Sequence, residues 1–167
     1  MVISMNDEIT IVEFKECYSE DIMRIWNECS LDGESFPWDW EFNLETIKRI
    51  LRNQDYVGVA IIKNIVIGFY ILHANNRGRE GHISNALYAV TKKYRSRGCG
   101  FNLVMHSLEK AKEKGYRAMQ FNSVVKTNTH ACELYKKTGF KIVGEVPEAF
   151  RCKQGTYESV YIMYKRL

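Results

Sequence analysis

The stretch KKYRSRGCGFN, Lys92 to Asn102, decides how this chain is read. Gly98 and Gly100 stand two apart behind Arg95 and Arg97. The apolar run HISNALYAV (His82–Val90) precedes them, and Phe101, Val104, Met105, Leu108 and Ala111 follow at helical spacing. A strand therefore runs into a glycine loop that opens a helix. The first turn of a helix carries N–H groups without internal partners, and the helix dipole adds positive potential there. A phosphate at that end satisfies both. Glycines remove side chains that would block its approach, and the arginines add charge and planar donors. The plainer alternative is that the glycines only shape a turn. Two other phosphate patterns are excluded: GxxxxGK[ST] is absent, and GxGxxG fails because Val104 and Met105, not a glycine, lie in the following turn.

Outward from the loop, the elements alternate in an irregular order. EITIVEF (Glu8–Phe14) has strand composition. Ser19, before Glu20 and Asp21, is a plausible helix start for Ile22, Ile25, Trp26 and Cys29. LDGESFPWDW (Leu31–Trp40) is a loop carrying Phe36, Trp38 and Trp40, and Leu44, Ile47, Ile50 and Leu51 form a second helical stripe. YVGVAIIK and IVIGFYILHA flank the Lys63–Asn64 turn as a hairpin, and His82–Val90 continues the meander. The helix after the loop ends near Gly115. YRAMQFNSVV (Tyr116–Val125) is a strand, THACELYKKTG a short helix opened by Asn128, and FKIVGEV (Phe140–Val146) and YESVYIMYK close the chain. An antiparallel meander plus one strand–helix–strand crossover predicts an α+β (mixed α/β) fold of one domain over 1–167.

Composition narrows the class. The 167 residues are 46% hydrophobic, enough for a core, and the net charge of +4 is too mild to indicate a nucleic-acid surface. Lysines and arginines form no long stripe and no base-stacking motif accompanies them. The five cysteines show no CxxC pair and no zinc spacing, so no metal is expected. With no apolar leader and no stretch near the ~20 residues of a membrane helix, a reduced cytoplasm is the expected location and no membrane partner is expected.

Arg95-Ser96-Arg97-Gly98-Cys99-Gly100 resembles the R/Q-x-x-G-x-G/A signature of the GNAT superfamily of acyl-CoA-dependent N-acetyltransferases, with Val90 and Tyr94 fitting the run into it. Downstream, NTHACELYKKTGF resembles that family's N-x-x-A-x-x-L-Y-x-x-x-G-F block, separated from the first by a helix and a strand as the family requires. The resemblance covers about Ile9 to the C-terminus. It implies a central, mostly antiparallel sheet of about seven strands flanked by about four helices, and acetyl-CoA as co-substrate. The amides of Arg97, Gly98, Cys99, Gly100, Phe101 and Asn102 would wrap its pyrophosphate, with Arg95 nearby. Pantetheine would enter a gap between splayed strands and pair with main chain at Leu87, Tyr88, Ala89 and Val90.

The same resemblance makes Tyr135 the proton donor to the leaving thiolate, with core packing beside Leu134 as its rival role. Asn128 matches a position that contacts the cofactor, and it also suits a helix N-cap. The position that often carries a base is Ser84, a poor base at neutral pH. A water relay, a neutral amine, His82 or Glu34 are the alternatives. HISNALYAV, FNSVVKTN and GEVPEAF look like the GNAT branch that acetylates proline analogues, and there Asn85 and Asn122 would hold the acceptor. Strand parity places Asn85 opposite Ser84, so it reaches the cleft only if the strand bulges. Phe36–Trp40 lies where the family has a substrate lid, with helix-to-helix packing as the alternative. As a lid, its Glu34, Asp39 and Glu41 would favour a cationic amine. The expected function is acetyl transfer to a small amine, such as an amino or imino acid, by direct attack in a ternary complex. An acyl-CoA sensor without chemistry and a protein or peptide acetyltransferase are the competing functions. GNAT proteins are often homodimers, but no stretch of the sequence identifies an interface.

Overall fold

A computed structural model describes residues 8–167. Among the described residues seven strands form one sheet in the order β1-β2-β3-β4-β5-β7-β6. They are β1 (Thr10–Glu13), β2 (Tyr56–Ile62), β3 (Ile65–Ala74), β4 (Ile83–Val90), β5 (Ala118–Val125), β6 (Lys141–Arg151) and β7 (Tyr157–Arg166). The helices are α1 (Ser19–Asp32), α2 (Leu44–Arg52), α3 (Cys99–Glu113) and α4 (Thr129–Lys137). Only β4 and β5 run parallel, joined by α3. The mixed fold, the strand number and the helix number agree with the sequence-based expectation.

Both faces of the sheet are covered. Leu103, Val104 and Leu108 of α3 pack with Tyr70, Leu72 and Met119 on one face. Ile22 and Trp26 of α1 and Ile47 of α2 pack with Phe69 and Ile71 on the other. Strand β3 is apolar on both faces and buried on both, which is why its sequence shows no alternation. Lys63 and Asn64 both adopt positive φ, 47° and 64°, the geometry a two-residue hairpin turn requires. Among the described residues no helix is long and apolar enough to cross a membrane.

One helix cap and two boundaries differ from the sequence pattern. Ser19 begins α1, but its buried hydroxyl has no partner, so it does not cap the helix. Leu31 and Asp32 belong to α1, which ends at Gly33 with φ 70°. Strand β6 continues through Pro147 to Arg151, because it lies at the sheet edge, where a missing N–H is tolerated, and it bulges between Val146 and Phe150.

Candidate active site

Strands β4 and β5 part almost at once. They pair only at Ile83 with Ala118 and Ser84 with Met119, and β5 bulges between Phe121 and Val124 against β7. A cavity of about 1170 Å³ opens at the parting, bounded by β4, β5, α4, the glycine loop and the segment after α1. The opening leaves one edge of β4 without a strand. Thr91 N–H donates to Ile67 O at 3.0 Å, Asn75 N–H donates to Ile83 O at 2.8 Å, and Arg117 N–H donates to His82 O at 2.9 Å. These bonds fix the phase of the ladder. Asn85, Leu87 and Ala89 exchange main-chain bonds with β3, whereas Ala86, Tyr88 and Val90 turn theirs toward the gap. Leu87 and Ala89 therefore cannot offer main-chain groups to pantetheine, and Ala86, absent from the sequence-based set, can. The Tyr88 side chain points away, its hydroxyl 2.7 Å from Ser107 Oγ on α3.

The glycine loop delivers bare amides. Gly98 holds φ 80°, and a Cβ there would meet nothing within 4 Å. Among the described residues the amides of Gly98, Cys99, Gly100 and Phe101 have no partner in the fold. Asn102 is a correction: its N–H already donates to Gly98 O at 3.1 Å as the first bond of α3. The Cys99 thiol is buried in the core, and burial pushes it up to about 12, so only its backbone faces the loop. Gly100 sits against α4, where a Cβ would lie 3.3 Å from Leu134 Cδ2. Arg97 is exposed, 5.6 Å above the Tyr94 ring.

Arg95 is also redirected. Its Nε donates to Val90 O at 3.1 Å and its Nη2 to Asp32 at 2.9 Å. Asp32 also pairs with Lys92, while Glu28, one turn earlier on α1, accepts from Thr91 Oγ1 at 2.8 Å and from Lys92 N–H. The last turns of α1 thus clamp the loop, and Arg95 serves first as its anchor. Burial alone would raise the Asp32 carboxyl, but the hydrogen bonds and charges of Lys92 and Arg95 outweigh it and hold it below the usual carboxylate range. The clamp is therefore complete above the ordinary aspartate value of about 3.9 and is lost as pH falls through the lower folded value. At neutral pH, Asp32→Asn should destabilise by about 1–2 kcal/mol, between exposed and buried pairs, since Arg95 is partly exposed. It should also weaken coenzyme A binding. Calorimetry and thermal melts check both, with the exposed Lys92→Ala as a near-neutral control.

Tyr135 lines the cavity from α4. Its ring lies 4.5 Å from Phe121 and 5.9 Å from Phe140, so it packs in the core. Among the described residues its hydroxyl has no hydrogen-bond partner. Burial pushes the phenol up, so it stays protonated at neutral pH. Both sequence-based roles are thus open to one side chain. Asn128 lines the cavity too, and its Oδ1 accepts from Ala131 N–H at 3.1 Å as the α4 N-cap.

Asn85 and Asn122 both line the cavity. Asn85 arrives without a bulge in β4, contrary to the parity argument, because the cavity reaches the α1 face of the sheet. The bulge lies in β5, at Asn122. Ser84 is fully buried, donates to Ala118 O at 3.1 Å and is not in the cavity wall. His82 is exposed and bonded to Arg79 O, also outside the wall. His73, which sequence patterning passed over, pairs with Asn85 across the ladder and lines the cavity; its Nδ1 bonds Ala74 O at 2.9 Å, leaving Nε2 as the nitrogen that can accept a proton. Phe36 and Trp38 line the cavity while packing on Trp26 at 5.9 and 5.2 Å, so cavity wall and helix packing coincide. Glu34 lines the wall; Asp39 instead pairs with Arg151 at 3.1 Å, and Trp40 is 54% exposed.

Residues 19–140 match the acetyltransferase (GNAT) family. A GCN5-related N-acetyltransferase from Kribbella flavida has a similar structure, with TM-score 0.90 and 28% identity over 95% of this chain and 98% of its own. The N-acetyltransferase aca1 of Schizosaccharomyces pombe is 32% identical over 54% of this chain and 44% of its own length. This chain spans less than half the length of the curated relatives it matches. An acetyltransferase structure from Salmonella typhimurium, solved with its cofactor acetyl-CoA, shares the fold at TM-score 0.86 and 18% identity, covering 95% of this chain and 94% of its own. Acetyl-CoA is the co-substrate of the family, and the open Gly98 cradle, its unpartnered amides and the free β4 edge fit a pyrophosphate and its pantetheine arm. The chain belongs to the acetyltransferase (GNAT) family.

Proposed function

We propose that this protein transfers the acetyl group of acetyl-CoA to the amine of a small amino or imino acid, by direct attack in a ternary complex. The observation that carries this reading is that Asn85 and Asn122 face the same cavity as the open β4 edge and Tyr135. Acetyl-CoA supplies an acetyl thioester, which an amine attacks only as its free base. The amides of Gly98, Cys99, Gly100 and Phe101 hold the pyrophosphate, and Ala86 and Tyr88 offer main-chain groups along the pantetheine arm, with Val90 offering its N–H, since its carbonyl accepts from Arg95. Asn85 and Asn122 hold the acceptor carboxylate. Tyr135 gives its phenolic proton to the departing sulfur. His73, Glu34 and water are candidates to take the proton of the amine, since both side chains line the cavity. Phe36 and Trp38 line the same cavity with apolar rings.

The test is release of coenzyme A thiol over a panel of amino acids, cyclic imino acids and their decarboxylated amines. Asn85→Ala and Asn122→Ala should each raise the acceptor KM or lower kcat/KM about ten- to a hundredfold. This range corresponds to one hydrogen bond to a charged group, and the KM for acetyl-CoA should hold. Acetylation of the amines as readily as the acids would refute a carboxylate clamp. No turnover with any acceptor, alongside intact coenzyme A binding, would favour a sensor. Turnover restricted to peptides would favour a protein acceptor.

A further inference from the structure

Asn75 immediately follows β3 and is not in the cavity wall. Its backbone N–H is committed to Ile83 O at 2.8 Å. Its side-chain oxygen receives two bonds, from Asn85 Nδ2 at 3.0 Å and from Asn122 Nδ2 at 2.7 Å. Asn122 Oδ1 in turn accepts from Gln120 Nε2 at 2.9 Å. The place matters. Asn85 is the first β4 residue beyond the last pair with β5, and Asn122 lies at the β5 bulge. One side chain therefore bridges the two strands at the point where they separate.

A carbonyl oxygen has two lone pairs, and here each takes one amide. Each of the two NH₂ groups keeps a second hydrogen, and the Asn85 carbonyl oxygen has no partner in the fold among the described residues. An amide free to turn about its terminal torsion would have to be ordered when a ligand binds. Tied to Asn75, both amides are ordered beforehand and the width of the mouth is set between them. Functional groups supported in this way by a second layer of hydrogen bonds bind more tightly than the same groups left loose.

We propose that Asn75 is the positioning residue of the acceptor subsite: its side chain ties Asn85 and Asn122 together across the parting of β4 and β5 and holds both amides toward the cavity. The inference rests on the proposed function for its kinetic consequence, while the tie itself can be read without substrate.

The experiment compares Asn75→Ala and Asn75→Leu with Asn85→Ala/Asn122→Ala and with the triple variant. The single Asn75 variants should raise the acceptor KM about three- to tenfold and leave the acetyl-CoA KM unchanged. In the double-variant background, adding Asn75→Ala should change the acceptor KM no further, since it acts only through the two amides. In nitrogen-resolved NMR spectra of the free protein, the side-chain amide signals of Asn85 and Asn122 should shift and lose exchange protection in both Asn75 variants. Unmoved amide signals would overturn the tie. An unchanged acceptor KM, in a protein where the Asn85 and Asn122 variants do raise it, would overturn the positioning role and leave the proposed function standing. A rise in both KM values, equal in the triple variant, would make Asn75 a general structural residue and also overturn it. If the Asn85 and Asn122 variants leave the acceptor KM alone, the proposed function fails and the kinetic role of Asn75 with it, while the amide signals still decide the tie.

Discussion

Gly98→Glu should abolish coenzyme A binding while leaving the sheet folded. The substituted side chain would project where a Cβ meets nothing within 4 Å, so no packed neighbour is displaced. The carboxylate would stand among the unpartnered amides of Cys99, Gly100 and Phe101 and repel a pyrophosphate of the same sign. Like charges brought together at a binding surface cost several kcal/mol, so affinity should fall at least about a hundredfold. The positive φ of 80° adds a local penalty of roughly 1–2 kcal/mol for any L side chain. Gly98→Asn separates the two effects, because asparagine tolerates the left-handed region and carries no charge. It should bind detectably where the glutamate variant does not. Gly100→Glu is the less clean variant, since its Cβ would press on Leu134 and disturb α4 as well. Calorimetry with coenzyme A, beside a thermal melt, decides the matter. Unchanged affinity in both glutamate variants would remove the phosphate from this loop.

Tyr135→Phe should lower turnover about 10²–10⁴-fold, the usual range for loss of a positioned general acid. Acetyl-CoA affinity should hardly move. The ring keeps its packing on Phe121 and Phe140, and no hydrogen bond in the fold is broken among the described residues. The thermal midpoint should therefore stay near that of the parent protein. Burial pushes the phenol up, so the proton to be donated is present throughout the neutral range. Wild-type turnover in the phenylalanine variant would assign Tyr135 to packing alone.

Much of the fold was legible in short-range pattern. The apolar run into Gly98, the helical spacing after it and the Lys63–Asn64 turn are local features, and local geometry decides them. The positions of Tyr135, Asn85 and Asn122 in the cavity followed from a resemblance carried by two motifs and from three flanking stretches. What the sequence alone determined about this protein is therefore its element order, its fold class and the helix end that offers its amides.

The tertiary structure decided how those parts are used. Which β4 residues face the gap depends on the phase of the ladder with β3, so Ala86, Tyr88 and Val90 present main chain there while Leu87 and Ala89 do not. Arg95 meets Asp32 across 63 positions of sequence, and a single-stretch motif carries no information about a partner so distant. Asn75 lies between β3 and β4 in the stretch NNRGREGH, where no motif singles it out. Its significance exists only because β4 and β5 part beside it, and that parting is fixed by a two-pair register and a bulge on a neighbouring strand, neither of which leaves a period in the sequence.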